Sequence, residues 1–128
     1  MSSIRFTQFL LVGAGGFLGA LSRFWIGSLI TQWTAAARFP FATFTINVTG
    51  CLLIGFASEL PIIRDHNTRF LMITGFLGAY TTFSTFGNET VELVQHGLTA
   101  NALIYVTGSV LLGLTAVWIG QQIAALFV

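Results

Sequence analysis

Gly75-Phe76-Leu77-Gly78-Ala79-Tyr80-Thr81-Thr82-Phe83-Ser84-Thr85-Phe86 sets glycines, hydroxyls and aromatic rings into a chain that is otherwise apolar almost throughout. A bilayer core holds no water to satisfy backbone or side-chain hydrogen bonds. A polar, glycine-bearing stretch at membrane depth is therefore tolerated where it is buried in protein or lines a path. The segment reads as a permeation or binding site.

The rest of the sequence makes membrane depth the right setting. Of 128 residues, 55% are hydrophobic and 7% charged, and mean hydropathy is +0.85. Soluble domains carry about a quarter charged residues, so an ordinary soluble domain is excluded. A span needs about 20 predominantly apolar residues, and four such stretches are read at 6–30, 40–60, 68–96 and 99–127. The expectation is an all-α membrane protein, a single four-helix transmembrane domain over 1–128. Arg5 gives a short positive flank, but the apolar run behind it outlasts a signal-peptide core and three further spans follow, so a retained first helix is expected.

Charge excludes other classes. Net charge is +1, and the basic residues are five scattered arginines, with no basic stripe for nucleic acid. Arg5, Arg64 and Arg69 on one side face Arg23 and Arg38 on the other, too weak a bias to fix orientation. Such a chain can insert both ways, which would allow an antiparallel pair. The single Cys51 rules out an intrachain disulfide and reads as packing, and His66 and His96 have no ligand-spaced partners.

Small residues recur four apart, at Gly15/Gly19, Gly16/Ala20 and Ser109/Gly113, the spacing that lets helix backbones approach in lipid. Whether the contact lies within one subunit or between two is left open by the spacing. The run Gly13–Gly19 is not a dinucleotide loop, because its third glycine is one place late and no acidic residue lies about 20 positions on.

Polar groups inside the spans carry the chemistry. Asn47, in Thr43-Phe44-Thr45-Ile46-Asn47-Val48-Thr49-Gly50, offers both donors and an acceptor, as interhelical glue or as a ligand contact. Arg23 ends a glycine-rich apolar run and either snorkels to the interface or faces a watery vestibule, where it would concentrate anions. Glycine weakens a helix by about 1 kcal/mol, and a discontinuous helix near 78–82 would present carbonyls to cations and a helix N-terminus to anions. The alternative is a continuous helix whose hydroxyls bond back to the preceding turn. Phe83 and Phe86, three apart, can turn positive ring edges to a small anion, with the flanking hydroxyls, including Thr82 and Ser84, as donors. Tyr105 and Ser109, four apart, can line the same path or pack with their hydroxyls satisfied. Glu89 and Glu92 share a face one turn later and read as a solvated surface at the membrane interface.

Taken together, Gly75-x-x-Gly78-x-x-Thr81-Thr82-Phe83-Ser84-Thr85-Phe86, Asn47 and Arg23 closely resemble the Fluc (CrcB) family of small bacterial fluoride channels, over essentially the whole chain. The resemblance implies a multi-pass protein of the bacterial inner membrane, not an enzyme, assembled as a dual-topology antiparallel homodimer with a broken third helix. It implies two fluoride pathways, with fluoride leaving passively down its electrochemical gradient, and a structural sodium ion at the dimer centre. Phe83 and Phe86 would be ring-edge contacts, Asn47 a pore donor, and Tyr105 and Ser109 a polar track. Backbone carbonyls of Gly78 and Thr81 would hold the sodium, with Arg23 by the vestibule and Glu89 near the pore end. The chain departs from the family pattern at Ala79 for a glycine, Tyr80 for an aliphatic residue, Gly87 for serine and Gly113 for a small hydroxyl residue.

Two other functions fit less well. A proton-coupled small multidrug exporter needs an intramembrane carboxylate, and the first span has none, while Glu59 and Glu89 sit late in theirs. A non-transporting assembly subunit would explain glycines and hydroxyls as helix glue, but not their concentration in one segment.

Overall fold

The structure, a computed structural model, describes residues 6–128; Arg5 lies outside them. It is all helical, with no strand among the described residues. Helix α1 covers Phe6–Thr34 and α2 Phe41–Glu59, followed by a 3₁₀ turn at Pro61–Arg64. Helix α3 runs over 66–80, α4 is Phe83–Gln95 and α5 is Thr99–Ala124. Three of these, α1, α2 and α5, are long and apolar enough to cross a membrane. The stretch expected as a further span, 68–96, is divided into α3 and α4 by two residues, Thr81 and Thr82.

The boundaries follow local chemistry. Pro40 cannot continue a helix from its N-terminal side and stands at the start of α2. Asp65 caps α3, accepting from the Thr68 amide at 2.8 Å and the Thr68 hydroxyl at 2.9 Å. These bonds hold its carboxyl below the usual carboxylate range. Helix α4 ends at Gly97, whose φ of 75° suits a residue without a Cβ. The Gly97 and Leu98 amides close back onto the Val94 and Leu93 carbonyls, the paired bonds of a Schellman cap.

Helix α3 is α-helical at its two ends and π-helical over Phe70–Leu77. The Gly78 amide reaches the Ile73 carbonyl, five residues back. Such widened turns are rare and occur mostly at functional sites. Nothing in composition or spacing anticipates this one.

Two close helix pairs organise the domain: α1 lies along α3, and α2 along α5. A Cβ added at Gly15 would overlap the Leu71 carbonyl, and one at Gly19 the Phe76 carbonyl, so both glycines let α1 meet the α3 backbone. That settles the reading left open by their spacing: these two glycines pack within one chain. Gly55 and Gly120 do the same for α2 and α5, where added Cβ atoms would overlap the Val117 and Leu52 carbonyls. Cys51 belongs to this second contact, with Sγ within 3.4 Å of where a Cβ on Gly113 would stand.

The outer surfaces are apolar. Phe9, Phe17, Phe24 and Trp25 of α1, and Leu103, Leu111, Leu114 and Trp118 of α5, are all exposed. In water such a surface would drive aggregation, whereas lipid solvates it at no cost. The buried interior is small, formed by residues such as Ile46, Leu77, Tyr80, Ala102 and Tyr105.

Candidate anion site at the helix break

Thr81 and Thr82 both have extended backbones, with φ/ψ of −84°/161° and −148°/118°. In an uninterrupted helix the Thr82 amide would bond the Gly78 carbonyl. Here it donates to Asn47 Oδ1 at 2.9 Å, while Asn47 Nδ2 donates to the Thr82 carbonyl at 3.1 Å. One side chain of α2 thus replaces the helical partners of the interrupted segment, and the Gly78 carbonyl is left without its Thr82 amide. The Thr82 hydroxyl caps α4 by accepting from the Thr85 amide at 3.2 Å, and its own proton goes to Thr85 Oγ1 at 3.0 Å. Ser84 Oγ lies 3.3 Å from the same hydroxyl and is exposed. Thr81 takes the ordinary course, its hydroxyl bonding back to the Leu77 carbonyl at 3.2 Å.

Beside the break lies a cavity of about 390 Å³. Asn47, Gly78, Thr81, Thr82, Phe83, Phe86 and Ser109 all line it, together with apolar residues such as Ile54 and Ile73. The α4 N-terminus, the positive end of its dipole, opens at the same place. The Phe83 and Phe86 ring centroids are 5.7 Å apart and tilted by 42°. Phe83 is 84% exposed, so its ring projects from the single chain rather than packing into it. Ser109 Oγ is buried with no hydrogen-bond partner among the described residues. A buried hydroxyl left unpaired costs about 1–3 kcal/mol, and Ser109 stands in the wall of the cavity.

Tyr105 stands apart from that cavity. It is fully buried, with its ring 4.9 Å from Phe86 and 5.4 Å from Phe39. Its hydroxyl donates to Glu89 Oε2 at 2.7 Å, and Thr43 Oγ1 donates to Glu89 Oε1 at 2.8 Å. The solvated face expected for Glu89 is therefore corrected. Both its oxygens are taken by hydroxyls of α2 and α5, whereas Glu92 is exposed and accepts from Asn88 at 2.7 Å. Glu89 also borders a separate cleft of about 540 Å³ with Arg38, Glu92 and His96.

Arg23 lines a third cavity, of about 460 Å³, which it shares with Thr43, Thr82 and Thr85. Its Nη1 donates to the Thr81 carbonyl at 3.3 Å. A carbonyl has two lone pairs, so Thr81 keeps one, and Gly78, exposed on the chain's surface, lacks its Thr82 partner. Such neutral oxygens suit a hard cation. Hard cations take about six or more oxygens, more than these two supply.

The profile of the CrcB-like protein, Camphor Resistance (CrcB) family matches residues 10–121. The chain belongs to the CrcB family. It is 46% identical over 121 residues to the fluoride-specific ion channel FluC of Acidobacterium capsulatum, covering 91% of this chain and 94% of that protein. The FluC proteins of Methylobacillus flagellatus and Rhizobium meliloti are 38% and 43% identical, covering 91% and 87% of this chain and 93% and 90% of theirs. The CrcB match takes in every residue from Arg23 to Ser109 named at the site.

Sequence reasoning assigned no part to Thr43 or Thr49, and counted Thr85 only among the hydroxyls of the motif. Thr43 had a usable signal, since it lies four residues before Asn47 and so on the same helical face. Thr85 stands three residues after Thr82, the spacing of an N-cap bond. Thr49 had none, because its partner is distant in sequence.

Proposed function

We propose that the chain is a fluoride-selective channel, a transport protein and not an enzyme, in the bacterial inner membrane. It gives passive fluoride efflux and so lowers cytoplasmic fluoride. The observation that carries this reading is one cavity lined by Asn47, Phe83, Phe86 and Ser109 beside the start of α4. The names of its relatives support it. Fluoride is small and strongly hydrated, so a path must replace its water with short, closely spaced donors, and a narrow bore then excludes chloride. Fluoride enters a cell as its weak acid, dissociates at neutral pH, and leaves as the anion driven by the membrane potential.

In this reading α3 and α4 together cross the membrane as one broken helix, and the working unit is an antiparallel homodimer with two pathways. The exposure of Phe83 and Gly78 on a lone chain supports a partner over that face. Ser109 at the cavity and Tyr105 beyond it, bonded to Glu89 near the pore end, form the polar track, Thr82 and Ser84 supply hydroxyls at the break, and Arg23 draws anions into its vestibule. The Gly78 and Thr81 carbonyls of both copies would hold a structural sodium ion, which supplies fixed positive charge at the dimer centre. Efflux from liposomes loaded with potassium fluoride, with valinomycin to carry the counter-ion, tests the reading. Fluoride should leave rapidly and chloride should stay, whereas equal release of both would overturn it.

A further inference from the structure

Tyr80 is buried, and its Oη lies 2.9 Å from Thr49 Oγ1 on α2. The direction of this bond follows from proton counting. Thr49 has one hydroxyl proton, and it is spent on the Thr45 carbonyl at 2.7 Å, with the Ile46 carbonyl at 3.1 Å. Tyr80 must therefore donate. The ring is held too, parallel to Phe76 one turn earlier, with an interplanar angle of 3° and centroids 6.1 Å apart.

The place where this happens matters more than the bond alone. Thr81, the first extended residue, lies between two attachments to one turn of α2: Tyr80 to Thr49 before it, and Thr82 to Asn47 after it. Its methyl group sits against Gly50, where an added Cβ would overlap it. Arg23 holds the Thr81 carbonyl itself at 3.3 Å, and with both flanking residues also tied to α2 the rotation of the Thr81 peptide is fixed.

We infer that Tyr80 is a positioning residue: through Thr49 it sets the direction of the Thr81 carbonyl, and thereby the sodium affinity of the dimer. This rests on the sodium site of the proposed function. An aliphatic residue at 80 would fill the same space without holding the turn.

Equilibrium binding of radioactive sodium to purified protein in detergent tests this without any flux measurement. Tyr80→Phe keeps the ring and its stack and removes only the donated proton, and Thr49→Val removes the acceptor. Each removes two such bonds per sodium site, one in each copy, and should weaken sodium binding by about 5- to 150-fold, the range of two neutral hydrogen bonds. The double variant should be no weaker than either single one, and Thr49→Ser should restore wild-type affinity. Wild-type sodium affinity in Tyr80→Phe, beside a wild type that binds sodium, would overturn the inference alone. A wild type that binds no sodium would remove the central ion and the inference with it.

Discussion

Asn47 holds Thr82 through both ends of its amide, at 2.9 and 3.1 Å, and so takes over the backbone pairing that α3 gives up where it ends. Backbone groups freed at membrane depth must find partners in protein. This one side chain supplies two of them and also faces the cavity beside the rings. Glue and ligand contact, the alternatives the sequence left open for it, are not exclusive here.

Asn47→Asp keeps the acceptor for the Thr82 amide but sets a carboxylate against the Thr82 carbonyl and into the proposed anion path. Fluoride flux should fall by at least tenfold at equal reconstitution. Asn47→Ala leaves both Thr82 groups unpaired and should lower stability by about 1–3 kcal/mol. Undiminished flux in Asn47→Asp would show that the amide serves packing alone.

Phe83→Ile and Phe86→Ile should each reduce fluoride efflux severely while the purified protein elutes as wild type does. Isoleucine has no positive ring edge to offer an anion. Phe83 is exposed on the chain, so its loss leaves no cavity in the interior. Wild-type efflux in both single variants would end the ring-edge assignment.

Gly15→Ala and Gly19→Ala should abolish or sharply reduce yield of folded protein, because each new methyl meets a backbone carbonyl of α3 that cannot move aside. Gly13→Ala is the control. Nothing lies within 4 Å of its added Cβ, and alanine favours the helix by about 1 kcal/mol. Equal yields of Gly15→Ala and Gly13→Ala would contradict the close approach of α1 to α3.

Much of the site could be read from the chain because the bilayer makes polarity conspicuous. An asparagine inside the second apolar span, a clustered set of hydroxyls and an arginine stand out against 55% hydrophobic residues, and the cavity gathers several of them. What stayed hidden depends on contacts far apart in sequence. Glu89 read as solvated because its partner Thr43 is 46 residues away. Gly15 and Gly19 announced a close approach but not which backbone they approach. Hydrophobic patterning does not separate a π-helical turn from an α-helical one, so Phe70–Leu77 carried no mark of it.

The near-balance of arginines predicts that copies insert in both orientations. In a Cys51→Ala background, a single cysteine at the C-terminus, such as Val128→Cys, should react with an impermeant thiol reagent in about half the molecules from either side of the membrane. Labelling from one side only would exclude an antiparallel dimer.

The most direct test of a fluoride-selective pathway is the current through protein in a planar bilayer, with fluoride on one side, chloride on the other and the same cation on both. The account predicts a current that does not reverse until the applied voltage strongly opposes fluoride movement. Reversal near zero, or at the potential set by the cation, would contradict it.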